Sequence, residues 1–296
     1  MRVFVTGATG FIGSAVVEDL LKAGHQVLGL ARSDAGADAL VAAGAEVHRG
    51  SIEDLESIKR GAAQADGVIH TAFIHDFSKF LENCEKDRLA IDALGSALAG
   101  TEKPLIITSA TALVSNQRPA TEQDLPDPQG MNPRIASELA AAALAKQGVH
   151  VSLVRLPPSV HGAGDYGFVP MLIAMARDKG VSAYTGKGEN VWPAVHRLDA
   201  ARVFRLALEK GARNAVYHAT AEQGVAFKEI AGLIGKHLNL PVESKTAESA
   251  DAHFGWFTHF AALDNPTSSA FTRETLGWQP EHQGLLTDID TAGYFN

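Results

Sequence analysis

The chain has 296 residues, 46% of them hydrophobic, a formal net charge of −8 and a single cysteine, Cys84. Such a length buries one large core or a core plus a smaller lobe, the acidic balance excludes a nucleic-acid footprint, and one cysteine excludes an internal disulfide. No apolar run reaches the length of a membrane span, and a strand beginning at residue 2 predicts a cytoplasmic protein without a leader.

The first elements are the most informative. A short apolar strand, Val3-Phe4-Val5, runs into Thr6-Gly7-Ala8-Thr9-Gly10-Phe11-Ile12-Gly13 and then into an amphipathic helix. Gly7 allows the tight turn, Gly10 lets backbone approach a pyrophosphate, and Gly13 lets helix pack on sheet, which is a dinucleotide-binding turn. The helix N-terminus adds free N–H groups and partial positive charge. The next strand ends at Ala31-Arg32-Ser33-Asp34. Where an NAD site wants a carboxylate for the ribose 2′-OH, Ala31 offers nothing, whereas Arg32 and Ser33 suit a 2′-phosphate. NADP(H) is therefore the expected cofactor, with Ser33 or Asp34 alternatively only capping the following helix.

Further strands are predicted near 26–30, 46–49, 67–71, 104–108 and 151–155, and helices over 11–23, 34–43, 54–61, 80–99 and 132–147. Alternation of this kind predicts an α/β fold, a doubly wound parallel Rossmann sheet with the cofactor at the strand carboxyl ends. After residue 156 the alternation weakens, prolines and glycines cluster, and Trp192, Trp256 and Trp278 appear. The expected organisation is a dinucleotide-binding domain over 1–161, with 195–222 returning to it, and a discontinuous substrate lobe from 162–194 and 223–296. The lobe's Phe168, Met171, Trp192, Phe254 and Trp256 predict an apolar pocket, with His253 to Phe257 as its wall.

Several motifs in order resemble the extended and atypical short-chain dehydrogenase/reductase superfamily over nearly the whole chain. Thr6 to Gly13 looks like its TGxxGxxG turn, and Gly50-Ser51-Ile52-Glu53-Asp54 is similar to its GDxxD, with Ser51 in place of the usual Asp. His70-Thr71-Ala72-Phe73 resembles the segment after strand four, and Ile107-Thr108-Ser109-Ala110-Thr111 the serine-bearing end of strand five. Arg155 to Gly162 is similar to RPxxVYG, Ala194 to Asp199 to vHVdD, and Leu276 to Pro280 to LGWxP. The resemblance implies cofactor contacts from Gly7, Thr9, Gly10, Phe11, Ile12, Gly13, Gly50, Ser51, Ile52, Thr71, Ala72, Phe73, Thr108, Pro157, Ser159 and Val160. It also implies a small-molecule carbonyl substrate and a homodimer through the helices near 80–99 and 132–147.

The catalytic pair departs from the family. Its YxxSK reads here Arg134-Ile135-Ala136-Ser137-Glu138. A guanidinium is no acid near neutrality, although it can donate fixed hydrogen bonds to a developing alkoxide. Arg134 and Glu138 are read either as a functional pair or as an ordinary helix pair four residues apart. Ser109 then becomes the expected polarising hydroxyl, with Thr111 as runner-up, and Tyr166, Tyr184, His161 and His196 as further acid candidates. Tyr166 lies in a glycine-rich loop, Gly162 to Gly167, able to close over substrate. The expected activity is NADPH-dependent reduction of an apolar or aryl carbonyl compound. The alternatives are an NADP-binding sensor without catalysis and an NAD-dependent sugar-nucleotide epimerase or dehydratase.

Overall fold

The computed structural model describes residues 1–114, 118–130 and 132–295. Its strands are β1 (Arg2–Thr6), β2 (Gln26–Ala31), β3 (Glu46–Arg49), β4 (Gly67–His70), β5 (Leu105–Ala110), β6 (Val151–Leu156), β7 (Ser159–His161), β8 (Ser182–Thr185), β9 (Val191–His196), β10 (Val216–His218), β11 (Glu222–Ala226) and β12 (Val242–Lys245). Its α-helices are α1 (Phe11–Lys22), α2 (Asp34–Ala43), α3 (Leu55–Ala63), α4 (Phe80–Leu98), α5 (Ile135–Lys146), α6 (Phe168–Lys179), α7 (Arg197–Lys210), α8 (Phe227–Leu238), α9 (Ala247–Phe254), α10 (Thr258–Ala261), α11 (Ala270–Leu276) and α12 (Leu285–Thr291).

The apolar strands join one parallel seven-stranded sheet in the order β10-β6-β5-β4-β1-β2-β3, a Rossmann arrangement. The order reverses between β1 and β4, and at such a switch point the connections leave in opposite directions and open a crevice beyond the strand carboxyl ends. Both faces are covered, as continuous buried runs such as Phe4, Val5 and Ile106, Ile107 require. One core layer packs α1 and α7 on the sheet through Val16, Leu20 and Phe204, and the other packs α3, α4 and α5 through Ile58, Ile91 and Leu144.

A third core, centred on Trp192, Phe227, Phe257 and Ile230, holds α6, α8 and the C-terminal helices together. A small sheet, β11-β9-β7, joins it to the Rossmann half. The boundary expected between residues 194 and 195 falls inside β9. Leu276 and Trp278, expected in the lobe, lie in the core beside α7, where Trp278 Nε1 donates to the Asp199 carbonyl at 3.0 Å. Sequence alternation could not reveal that return, because an LGW turn carries no periodicity.

The candidate active site

The carboxyl ends of β1, β2, β4, β5 and β6 line one cleft of about 680 Å³, closed on the far side by the loop before α6 and by Phe260. At its narrow end the glycine turn is held by contact. Gly7 sits at φ +69°, and a Cβ there would lie 2.6 Å from the Ala72 nitrogen, while one on Gly13 would lie 1.9 Å from the Gly7 carbonyl. The first-turn amides of α1 have no intrahelical acceptor, and that of Phe11 is taken by the Tyr166 hydroxyl at 3.2 Å. Tyr166 thus fills the place of an anion at a helix N-terminus. Its loop is latched from the C-terminus: Tyr294 Oη accepts from the Gly162 amide at 3.1 Å and donates to Asp165 at 2.9 Å. Burial pushes the Asp165 carboxyl up to about 6, although the Gly167 amide and Tyr294 oppose the rise.

Of the expected cofactor residues, Gly7, Thr9, Gly10, Phe11, Ile12, Gly13, Arg32, Gly50, Ser51, Ile52, Thr71, Ala72, Phe73, Thr108, Pro157, Ser159 and Val160 all line this cleft. Arg32 is exposed, and its neighbour Asp34 is engaged by Arg49, so among the described residues nothing neutralises the Arg32 guanidinium. Ser33 does not line the cleft. Its Oγ accepts from the Gly36 amide at 3.1 Å as the N-cap of α2, the capping role expected as its alternative. The residues fit a dinucleotide: the cradle leaves no room for a Cβ, the end of β2 carries a free cation, and Ser159, which lines the cleft, has a buried Oγ without a partner among the described residues.

The wall that replaces the Tyr/Lys pair is built differently from the helix pair expected. Arg134 does not bond Glu138. It turns to Asp87 of α4, to Ser137 Oγ and to the Thr108 carbonyl, with its guanidinium 4.3 Å from the centre of the Phe73 ring. Asp87 is sealed and also bonds His70 at 3.0 Å and Ser137 at 2.6 Å. Burial alone would raise its carboxyl, but the Arg134 charge and the His70 contact hold it below the usual carboxylate range. Glu138 lies behind the cleft rather than on it. Both its oxygens accept from Arg155 of β6 at 2.8 Å, and Oε1 also accepts from Ser109 Oγ at 2.5 Å. Register explains the meeting, since Ser109 of β5 and Arg155 are direct partners and His218 of β10 flanks Arg155.

Ser109 lines the cleft, but its single proton is given to Glu138, so toward a ligand it can only accept. That corrects its expected role as a polarising donor. Thr111 is sealed away, donating to Asn265 Oδ1 at 2.7 Å. His161 is buried against Asp288 at 2.8 Å, and His196 caps α7 and stacks on His282. Trp192 and Phe254 belong to the lobe core, while Trp256 is exposed outside the cleft, stacked on Phe77. These five are corrections to the expected substrate contacts, because aromatic density reports burial as readily as a pocket. Phe168, Met171 and Tyr166 do line the cleft.

Sequence reading missed the segment after β4. Ile74, His75, Phe77 and Phe80, with Phe260 from α10, complete an aromatic chamber beside Arg134. The three aromatic or imidazole residues His75, Phe77 and Phe80 were the available signal. Burial and the Arg134 charge hold His75 below the ordinary imidazole value, although the residue as a whole is exposed.

The family model of the NAD dependent epimerase/dehydratase family matches residues 3–220. The chain belongs to this family. An uncharacterized protein of Schizosaccharomyces pombe is 54% identical over 295 residues, covering 100% of each chain. A second relative within reach, 28% identical over 273 residues, 86% of this chain and 80% of its own, is 4-hydroxy-2-methyl-3-oxo-4-farnesyl-3,4-dihydroquinoline-1-oxide ketoreductase of Stigmatella aurantiaca. The dTDP-glucose 4,6-dehydratase of Streptomyces venezuelae, solved with NAD and TYD bound, superposes with a TM-score of 0.79 over 100% of this chain and 97% of its own at 20% identity. At that identity the likeness to this dehydratase is one of fold. Among the described residues no helix is long and apolar enough to cross a membrane.

Proposed function

We propose that the protein is an NADPH-dependent oxidoreductase that reduces an apolar or aryl ketone, aldehyde or related carbonyl compound. One observation carries the reading: a single cleft joins the glycine cradle and unpaired Arg32 to a chamber walled by Phe73, Phe77, Phe80, Phe168, Met171 and Phe260. Among the described residues its only arginine or lysine beyond Arg32 is Arg134, held over Phe73, so a sugar nucleotide's second diphosphate would find no second clamp. The ketoreductase relative supports the same chemistry.

A bound nicotinamide supplies hydride to the carbonyl carbon. The chain's own residues do the rest. Asp87, Ser137 and the Thr108 carbonyl fix the Arg134 guanidinium, so its remaining N–H groups are pre-aimed donors of constant charge for the carbonyl oxygen. Ser109, with its proton turned to Glu138, accepts from a cofactor or substrate hydroxyl. The aromatic walls exclude water and orient the reacting face. Exposed Leu89 on α4 and Leu139 on α5 support the expected homodimer.

The test is NADPH consumption by the purified protein against aryl ketones, aldehydes, diketones and enones, with NADH in parallel. Turnover with NADPH is expected. In the Arg32→Ala variant the Kd for NADPH should rise by about 10- to 100-fold, as loss of charge-assisted bonds of roughly 1.5–3 kcal/mol implies, while NADH binding stays level. Tight NADPH binding without turnover would replace this reading with a sensor, and preference for NADH would revive the epimerase/dehydratase alternative.

A further inference from the structure

Resting on the reductase reading, the question is where the proton comes from. Hydride added to a carbonyl carbon leaves an alkoxide oxygen that must gain one proton, and the family's tyrosine position holds Arg134, which cannot release one near neutrality. Three hydroxyls of the cleft have their protons committed. Thr71 donates to the Thr6 carbonyl, Thr108 to the His70 carbonyl and Ser109 to Glu138. Tyr166 sits at the glycine turn against the Phe11 amide. Asp165 accepts on both oxygens, from the Gly167 amide at 2.6 Å and from Tyr294 at 2.9 Å.

His75 is different. It lines the chamber from the segment after β4, with its ring edge-on to Phe73 at 5.2 Å between centroids, and the same Phe73 ring carries Arg134 at 4.3 Å. Imidazole and guanidinium thus converge on one aromatic side chain, beside the end of β5. His75 is exposed as a residue, so water that can replace a proton given up is close by.

We propose that His75 is the general acid of the reduction. Its imidazolium N–H bond breaks as the alkoxide O–H bond forms, while NADPH becomes NADP and the carbonyl becomes an alcohol. The neutral ring then takes a proton from water. Arg134 holds the oxygen and His75 protonates it, a division of labour that the tyrosine of the family performs alone.

The charged groups that act on His75 are Arg134 at the start of α5 and Asp87 of α4. Burial and Arg134 favour the neutral ring, and the Phe73 backbone and Asp87 oppose them less strongly. The acid form therefore fills only below the ordinary imidazole value of 6.5. It follows that kcat/KM of the free enzyme rises as pH falls through that region and levels off below it.

The experiment measures NADPH oxidation with acetophenone, benzaldehyde and benzil across pH 5 to 8 for wild type, His75→Gln and His75→Ala. Loss of a general acid predicts kcat lower by about 100-fold or more, an unchanged Kd for NADPH, a flattened acid limb, and partial rescue of His75→Ala by added imidazole. Wild-type turnover combined with a His75→Gln variant of unchanged kcat and pH profile would overturn the assignment alone. No turnover by wild type on any of the three carbonyl compounds would overturn the reductase reading for aryl carbonyls, and His75 with it.

Discussion

Two ion pairs leave the start of α5 in opposite directions, and they divide the site between them. Arg134 reaches across to Asp87 and stays on the cleft wall, whereas Glu138, four residues later, turns inward to Arg155 and is sealed behind Ser109. An i, i+4 pair on a solvated helix contributes a few tenths of a kcal/mol. Each of these residues instead answers a buried charge on another element, which ties α5 to α4 on one side and to β6 on the other. The outer pair presents positive charge to a ligand; the inner one fixes the strand ends beneath it.

Removing the inner carboxylate tests that division most severely. Glu138→Ala leaves the fully buried Arg155 without its bidentate partner, and should cost about 3–5 kcal/mol, read as a fall in the urea midpoint. Arg134→Ala leaves Asp87 still bonded by His70 and Ser137, so about 2–3 kcal/mol is expected, with turnover lost well beyond what stability explains. Should Arg134→Ala prove the more destabilising, the contrast between a sealed pair and a cleft pair would collapse.

The Asp165 latch gives the next effect, and its sign runs against the usual carboxylate. Its folded value of about 6 lies above the ordinary 3.8, so the fold favours the protonated form. The site costs nothing below pH 3.8 and becomes increasingly destabilising as pH rises through about 6. Full conversion of that difference gives roughly 3 kcal/mol, and partial exposure reduces it to about 2. Asp165→Asn should therefore melt higher than wild type at pH 7, with the gap cut to about a third at pH 4.5 and nearly gone near pH 3. An equal gap at all these values would mean that the fold does not raise the Asp165 carboxyl.

Much of the Rossmann half was legible because its signals are local. Glycines at fixed offsets, alternating apolar strands and alanine-rich helices placed β1 to β6 and α1 to α5 within a few residues, and the glycine-turn end of the cleft followed from them. The reacting end was not legible in that way. Ser109, Glu138 and Arg155 meet through strand register and a helix from another segment, and no spacing in the chain states that Ser109 points its proton backward. His75 stands in a stretch with neither helical nor strand period. His161, Trp192 and Phe254 carried the residue types of a pocket, yet each is sealed in a core, because apolar and aromatic residues satisfy either role.

The smallest effect separates the two residues at the end of β2. Ser33 caps α2 through the Gly36 amide, while Arg32 lines the cleft. Loss of a serine N-cap costs about 1 kcal/mol of stability, so Ser33→Ala should lower the melting temperature slightly. It should leave the ratio of NADPH to NADH affinity where it was, because the cap oxygen is turned to the helix and not to the cleft. Arg32→Ala should do the reverse, changing the ratio and sparing the melt, since nothing in the fold rests on that guanidinium. If Ser33→Ala also shifted the ratio by tenfold or more, its hydroxyl proton would have to be reaching the 2′-phosphate while its lone pair caps α2, and the division of labour between the two neighbours would fall.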